Sequence, residues 1–424
     1  MKSKFSSVKV LKGLLALLVF LSPVTALAEV SIPAASFEYF DAKAREGYAM
    51  SIVFFGGSLT WGEGASEPEQ TSFRALTQNY LQEKYPKAHF SFYDAAIGDT
   101  GSKLGMFRVD RDVLVHKPDL VFLDFTIEDN LNGTDRETLG SYERILRDLL
   151  LKGVPVVQVL AGTKEYFGPG WKHLGPPRFR DHLEMGNLYR SAIGNSFTVI
   201  QNYLRGEKHD VTEIWPEGEN FPNDRGHRFI FEAVRTGLEQ AIRAKRIGNL
   251  TEASVFSDEY RNRIQWFPLS SPLPNGWERA KTLRPTLSAV EISNGWMNEV
   301  AQASAQRTEN VEPIRLNFNG TFLGILGEAD ERGLGFKIFI DGKAVSYQQE
   351  LKSYVWPTSS VPFGGSERFF WHEISDKLSL GHHTLEIHPV FPDGVERGEL
   401  RIESICVAGP VQIQTAPSSF IGGN

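Results

Sequence analysis

One serine of this chain stands where a nucleophile could work. Ser58 follows Gly56 and Gly57, which come directly after the apolar run Met50 to Phe54 and Phe55. Two glycines let the backbone turn sharply where a strand ends, and such a turn leaves a serine hydroxyl at the strand tip, open to a substrate carbonyl. The pattern therefore predicts Ser58 as a nucleophile for acyl transfer.

A set of acidic residues offers a different chemistry. Two carboxyl groups that flank one cleft can cleave a glycosidic bond, because burial and mutual repulsion raise the pKa of one of them. Trp61, beside Ser58, could stack on a sugar ring. Loop carboxylates are also common in an acidic protein and often stay solvated, so this pattern alone does not decide. The candidate carboxyls are Asp99, Glu128, Asp129 and Glu219.

Alternating apolar and amphipathic segments predict the elements that position these residues. From about residue 51 to 247 the pattern is typical of βα units, and the nearly continuous apolar run Val121 to Ile127 favours a central strand of a parallel sheet. Beyond about residue 260, short alternating runs between Pro- and Gly-rich turns predict an all-β sandwich, jelly-roll-like. The predicted strands are 50–55, 90–96, 119–127 and 154–160, and the predicted helices are 68–84, 135–152 and 224–245.

Composition limits the classes of protein that fit. The chain has 424 residues with 41% hydrophobic and 23% charged residues, as expected of folded protein with two domains. Its net charge of −7 and lack of a basic run argue against nucleic acid as a partner. The single cysteine, Cys406, cannot close an internal disulfide. No pattern predicts a cofactor or a metal site, and the oligomeric state stays open.

The first 28 residues predict a removable signal peptide. Lysines precede the apolar run Leu14 to Leu21, and Ala26-Leu27-Ala28 has the small-x-small pattern of a cleavage site. We therefore expect a periplasmic or secreted bacterial protein with no membrane association after cleavage. The predicted organisation is a signal peptide (1–28), an α/β domain (29–255), an accessory β-sandwich (256–415) and a flexible tail (416–424).

Four segments of the first half resemble the SGNH, or GDSL-like, hydrolases. In chain order, the segments are Gly56 to Thr60, Asp94 to Ser102, Lys117 to Phe125, and Phe221 to His227. The resemblance implies a flavodoxin-like three-layer α/β/α fold and ester hydrolysis with Ser58 as nucleophile. It also implies that the backbone amides of Ser58 and Gly98 bind the oxyanion. The second half is similar to the accessory β-sandwich of some exported members.

Two positions depart from the family pattern. Glu128 stands where the third block normally has an oxyanion-binding asparagine, and a carboxylate there would repel an oxyanion. The register set by Pro222-Asn223-Asp224 puts Phe221 at the catalytic histidine and Gly218 at the catalytic aspartate.

Asp224 and His227 have the Asp-x-x-His spacing by themselves and form an alternative catalytic pair. The simpler interpretation is that Asp224 caps the following helix and His227 packs in its buried face. His173 and His182 are further candidates for a base.

Three hypotheses remain open from the sequence. The first is an esterase or deacetylase of decorated polysaccharide that uses Ser58. The second is a glycoside hydrolase on the same scaffold, with Glu128 as principal acid, base or nucleophile and Asp99, Asp129 or Glu219 as its partner. The third is a catalytically inactive carbohydrate-binding protein.

Overall fold

A computed structural model describes most of the chain after residue 33, in segments separated by gaps. The described residues belong to one compact unit. The predicted signal peptide, the predicted tail and His173 lie outside the described residues. The described segments are 34–167, 175–205, 209–256, 260–282, 299–304, 311–329, 333–348, 353–358, 369–394 and 398–410.

The first half contains a five-stranded parallel sheet in the order β2-β1-β3-β4-β5. Its register aligns Gly56 at the end of β1 with Ala96 of β2 and Asp124 of β3, so three strands end at one edge. The parallel sheet predicted from the sequence is confirmed, although β3 stops at Asp124 instead of continuing to 127. The strands are β1 (Ala49–Gly56), β2 (His89–Ala96), β3 (Leu120–Asp124), β4 (Val156–Leu160) and β5 (Ala192–Asn195).

Helices cover both faces of this sheet, because side chains of β1 alternate between two apolar clusters. Val53 and Phe55 pack with residues of α5 and α6, whereas Ile52 and Phe54 pack with residues of α1, α4 and α9. Burying each such side chain contributes about 1.5–3 kcal/mol. The helices are α1 (Phe37–Glu46), α2 (Ser58–Trp61), α3 (Pro68–Thr71), α4 (Phe73–Lys84), α5 (Ser102–Asp112), α6 (Arg136–Leu151), α7 (Pro177–Leu188), α8 (Ser196–Leu204) and α9 (Asp224–Arg243).

The start of α9 corrects one prediction. Asn223, not Asp224, caps the helix, since its side chain accepts hydrogen bonds from the N–H groups of Arg225 and Gly226. Asp224 is the first helical residue, and its carboxylate accepts from the Ser66 N–H at 2.8 Å. The carboxylate of Asp224 therefore ties the loop after α2 to the start of α9.

The second half consists of antiparallel strands, as predicted. A six-stranded sheet contains β6, β7, β8, β10, β13 and β15, and a four-stranded sheet has the order β12-β11-β14-β9. Apolar side chains of both sheets share one core. The strands are β6 (Asn262–Trp266), β7 (Glu278–Lys281), β8 (Glu299–Ser304), β9 (Ile314–Asn319), β10 (Phe322–Glu328), β11 (Phe336–Ile340), β12 (Lys343–Val345), β13 (Phe370–Ser375), β14 (His382–Pro389) and β15 (Glu399–Gly409).

The six-stranded sheet also contacts the α/β half. Phe322 of β10 stacks on Phe107 of α5 with ring centroids 5.6 Å apart, and Arg111 of α5 forms an ion pair with Glu403 of β15. The β strands thus buttress α5, which lies directly behind the sheet edge where β1 and β2 end. In the described ranges, no helix is long and apolar enough to cross a membrane.

Candidate active site

Ser58, Asp99 and Glu128 meet at the carboxyl edge of the sheet. Each follows a different strand, and parallel strands bring their carboxyl ends together at one edge. The Asp99 N–H donates to Ser58 Oγ at 2.9 Å, and the Ser58 N–H donates to Glu128 Oε1 at 2.7 Å. The residues predicted as nucleophile and acid therefore contact each other directly, through the backbone amide of the serine.

The amide that contacts Ser58 Oγ belongs to Asp99 and not to Gly98. Asp99 adopts φ 55°, in the left-handed region that residues other than glycine seldom occupy. A Cβ on Gly98 would lie 3.5 Å from Ser58 Oγ, an ordinary contact. The oxyanion role expected for the Gly98 amide stays a prediction.

Both glycines before Ser58 are needed for space. A Cβ on Gly56 would lie 2.3 Å from Thr60 Oγ1, and a Cβ on Gly57 would lie 2.5 Å from the carboxyl carbon and Oε1 of Glu128. The Gly57 N–H donates to the Asp124 carbonyl at 3.2 Å, which fixes the turn against β3. Any larger residue at position 57 would therefore collide with the Glu128 side chain.

Two buried arginines hold this turn from below. Arg108, fully buried, donates to the carbonyls of Ala95 at 2.5 Å and Gly56 at 2.9 Å. Arg74 donates through Nε to the Thr60 carbonyl at 3.2 Å, at the end of the short helix α2. Charge-assisted hydrogen bonds are among the strongest in proteins. These arginines therefore restrain the positions of the strand ends that carry Ser58 and Asp99.

The carboxyl of Glu128 is held by the Ser58 N–H and is influenced by the charges of Asp124 and Asp129. Its Oε2 is shielded from solvent and accepts no hydrogen bond from any described residue. Burial, reinforced by the charge of Asp124, raises the pKa of Glu128 well above its ordinary value. Glu128 is therefore more readily neutral than a solvated glutamate.

Two further carboxyls lie buried beside it. Asp124 accepts from Thr60 Oγ1 at 2.8 Å, and burial raises the pKa of Asp124 to about 7. Asp129 accepts from the Ser102 N–H at 2.7 Å, and burial raises its pKa to about 7 as well. His182 Nε2 lies 3.6 Å from Asp129 Oδ2, and burial lowers the pKa of His182 well below its ordinary value. This group organises the sheet edge beneath Ser58.

Glu63 is a site residue that the sequence analysis missed. It lies in the loop after α2, where its N–H donates to the Ser58 carbonyl at 3.0 Å. Partial burial and then the charges of Asp99 and Glu219 raise the pKa of the Glu63 carboxyl. The charges of Asp99 and Glu219 therefore act on the Glu63 carboxyl. The local signal was weak, because Glu63 resembles any polar loop residue.

The alternative pair of Asp224 and His227 is engaged elsewhere. His227 is fully buried; its Nδ1 accepts from the Phe73 N–H at 3.2 Å, and its Nε2 contacts the Glu63 carbonyl at 2.9 Å. Since Nδ1 accepts, Nε2 carries the proton, and burial lowers the pKa of His227 to about 4. Neither ring nitrogen is left to serve Ser58, so the geometry agrees with a packed histidine.

The remaining predicted residues lie at the end of α2 or in the loop before α9. Trp61 ends α2 and is partly exposed, and Glu219 is exposed. Phe221 packs against the loop at Gly64, where a Cβ would lie 3.0 Å from the Phe221 Cβ. Gly218 has φ +85° and open space around the position of a Cβ. Among the described residues, no three His, Cys, Asp or Glu side chains are grouped to hold a metal ion.

Comparisons with known proteins show similarity in structure. No protein-family model matches the sequence, and no curated protein matches it. A two-domain esterase (CEX) active on acetylated mannans, co-crystallised with mannopentaose, matches with TM-score 0.67 and 16% identity, over 89% of this chain and 97% of that chain. A second structure, of a two-domain esterase (CEX) active on acetylated mannans, matches with TM-score 0.65 and 17% identity, over 89% of this chain and 97% of that chain.

A third structure, an acetylxylan esterase from Geobacillus stearothermophilus, matches with TM-score 0.38 and 19% identity, over 46% of this chain and 96% of that chain. That score is too low to bear on the fold. The two-domain match extends through both the parallel sheet and the antiparallel strands. The chain therefore shares the fold of this two-domain structure, an α/β domain followed by a β domain.

Proposed function

We propose that the protein is a carbohydrate esterase that removes acyl groups from decorated polysaccharide, with Ser58 as nucleophile. The observation that carries the proposal is the position of Ser58 at the end of β1, with its Oγ held by the Asp99 N–H at 2.9 Å. Support for the substrate class comes from the fold, which matches an esterase active on acetylated mannans.

The proposed reaction has two steps. Ser58 Oγ bonds to the acyl carbon, the bond from that carbon to the sugar oxygen breaks, and the serine proton ends on the released sugar hydroxyl. Water then attacks the acyl-serine, which frees the carboxylic acid and restores Ser58. Backbone amides at the strand ends stabilise the negative oxygen in each step.

We propose a carboxylate close to the Ser58 turn as the base. Glu63 is joined to that turn, because its N–H donates to the Ser58 carbonyl at 3.0 Å, and its raised pKa makes its carboxylate a stronger proton acceptor than a solvated glutamate. We assign the base role to Glu63 as part of this proposal, since both nitrogens of His227 are hydrogen-bonded to the backbone.

No observation favours the glycoside hydrolase alternative. Glu128 faces the Ser58 amide with one oxygen, and its other oxygen is shielded from solvent. A glycosidase acid has to reach the glycosidic oxygen of a bound sugar.

An exported location, which residues 1–28 predict, would place the protein with extracellular polysaccharide. We therefore include periplasmic or secreted localisation in the proposal.

The test is acetate release from acetylated manno- and xylo-oligosaccharides. Ser58→Ala should abolish release, and Glu63→Gln should lower kcat at least tenfold and change its pH profile. Ser91→Ala, an exposed serine of β2, is the matched control and should retain wild-type turnover. Unchanged release by Ser58→Ala, or oligosaccharide binding without release by the wild type, would overturn the proposal.

A further inference from the structure

The backbone N–H of Ser58 already has a partner. When a serine attacks a carbonyl, the carbonyl oxygen becomes negative, and the serine's own N–H is a donor placed to bind it. Here that N–H donates to Glu128 Oε1 at 2.7 Å. An acyl oxygen and Glu128 Oε1 therefore compete for one donor.

The contact is built into the turn. A Cβ on Gly57 would lie 2.5 Å from both the carboxyl carbon and Oε1 of Glu128, so the carboxyl lies against a bare Cα. The Gly57 N–H is held by the Asp124 carbonyl, which prevents the turn from moving away. The Glu128 carboxyl thus occupies the space beside the Gly57 Cα and the Ser58 N–H, which we call its seat. This space is open because residue 57 has no side chain.

In that seat, and among the residues that the structure describes, the Glu128 carboxyl lacks a hydrogen bond to one of its two oxygens. Glu128 Oε2 is shielded from solvent and accepts no hydrogen bond from a described residue. A buried acceptor without a donor is unfavourable. The seat therefore binds Glu128 through one oxygen only, which leaves room for a better ligand to displace it.

We propose that Glu128 holds Ser58 in a closed state by occupying the backbone N–H that the acyl oxygen must bind, so that acylation requires the carboxyl to leave this seat. The inference rests on the proposed function, because it assumes that Ser58 attacks an acyl carbon. It adds that a carboxyl of the native site occupies one of the donors that the acyl oxygen needs.

Three variants of Glu128 separate occupancy from charge. Glu128→Ala empties the seat, and Glu128→Asn shortens the side chain and supplies an amide donor. Glu128→Gln removes the charge but keeps an oxygen that can accept from Ser58. Removing one oxyanion donor typically costs about 10²–10³ in rate, so freeing one should raise kcat/KM about tenfold or more in the Asn variant. The Ala variant should also gain, and the Gln variant should gain less than either.

Two readouts are needed. One is the turnover of an acetylated oligosaccharide, and the other is the rate of Ser58 labelling by a fluorophosphonate, whose phosphoryl oxygen needs the same donor. Glu143→Gln, which alters a fully buried glutamate of α6, controls for the loss of a buried carboxyl and should leave both rates within about twofold of wild type.

The outcomes distinguish the two proposals. Faster turnover and labelling in the Asn and Ala variants would support the inference. Equal or slower rates in both variants, with an active wild type, would overturn the inference and leave the esterase proposal standing. Activity that appears only in the Asn or Ala variant would support the inference and count against esterase activity of the native protein. If no protein is labelled or turns over, both proposals fail.

Discussion

Replacing Asp129 by asparagine should change how the stability of the protein depends on pH. Asp129 is 4% exposed, follows β3, and accepts from the Ser102 N–H at 2.7 Å. Burial raises its pKa from 3.8 to about 7. A carboxyl with a raised pKa keeps its proton in the folded protein at pH values where the unfolded chain has lost it.

The sign and size of the effect follow from that shift. The contribution of Asp129 to stability is fully present below about pH 4 and is lost as the pH rises through about 7. Each pKa unit corresponds to about 1.4 kcal/mol, so between pH 5 and pH 9 the loss is on the order of 3 kcal/mol. Asparagine does not ionise, and Asp129→Asn should avoid this loss while its side-chain oxygen still accepts from Ser102.

The assay is urea denaturation of wild type and variant at pH 5 and pH 9. The free energy of unfolding of Asp129→Asn, relative to wild type, should increase by roughly 3 kcal/mol between the two pH values. Asp99→Asn, which alters an exposed carboxyl at the same sheet edge, should change this difference by less than about 1 kcal/mol. A variant that is destabilised equally at both pH values would refute the argument, because hydrogen bonding rather than a buried charge would then decide.

Three further changes test the arrangement around Ser58. Gly57→Ala should lower the free energy of unfolding by about 1–3 kcal/mol in the wild type, because the new Cβ would meet the Glu128 carboxyl, and by much less when residue 128 is alanine. Additive losses in a double-mutant cycle would show that residues 57 and 128 do not interact. Arg108→Lys should lower the free energy of unfolding by about 3 kcal/mol and ester turnover at least tenfold, because lysine cannot bind both strand-end carbonyls. Denaturation measures the first effect and acetate release the second. Turnover equal to that of the wild type would exclude a positioning role for Arg108. The free energy of unfolding should fall by about 3 kcal/mol as the pH drops from 6.5 toward 4, because the depressed pKa of His227 means that the folded protein resists protonation of this histidine. Denaturation curves of His227→Gln should lack this fall. An identical fall in both proteins would show that other groups cause it.

Much of the fold was predictable from local patterns. Apolar runs and amphipathic periods located four of the five parallel strands, and the change of pattern after residue 260 indicated the antiparallel half. The strand β5 was missed, because its four residues are too few to carry a periodic signal. Capping was misplaced by one residue at α9, where Asn223 and Asp224 have the same capping chemistry.

The candidate site was predicted in part. The glycine turn identified Ser58, and the parallel order of the strands brought Asp99 and Glu128 to the same edge. The sequence also indicated that His227 packs in the core, from its place on the apolar face of α9. The sequence did not indicate Arg108 or Glu63, because their roles depend on contacts with residues of other secondary-structure elements.

By itself, the sequence determined the order of elements and the serine at the strand end, because both depend on residues adjacent in the chain. Only the tertiary structure decided which groups surround that serine. The contact of Ser58 with Glu128 joins residues 70 positions apart, and the pKa of each buried carboxyl depends on how completely other elements exclude water from it. Burial and hydrogen bonding between distant segments are properties of packing, and they convert a loop glutamate into a ligand of the Ser58 amide.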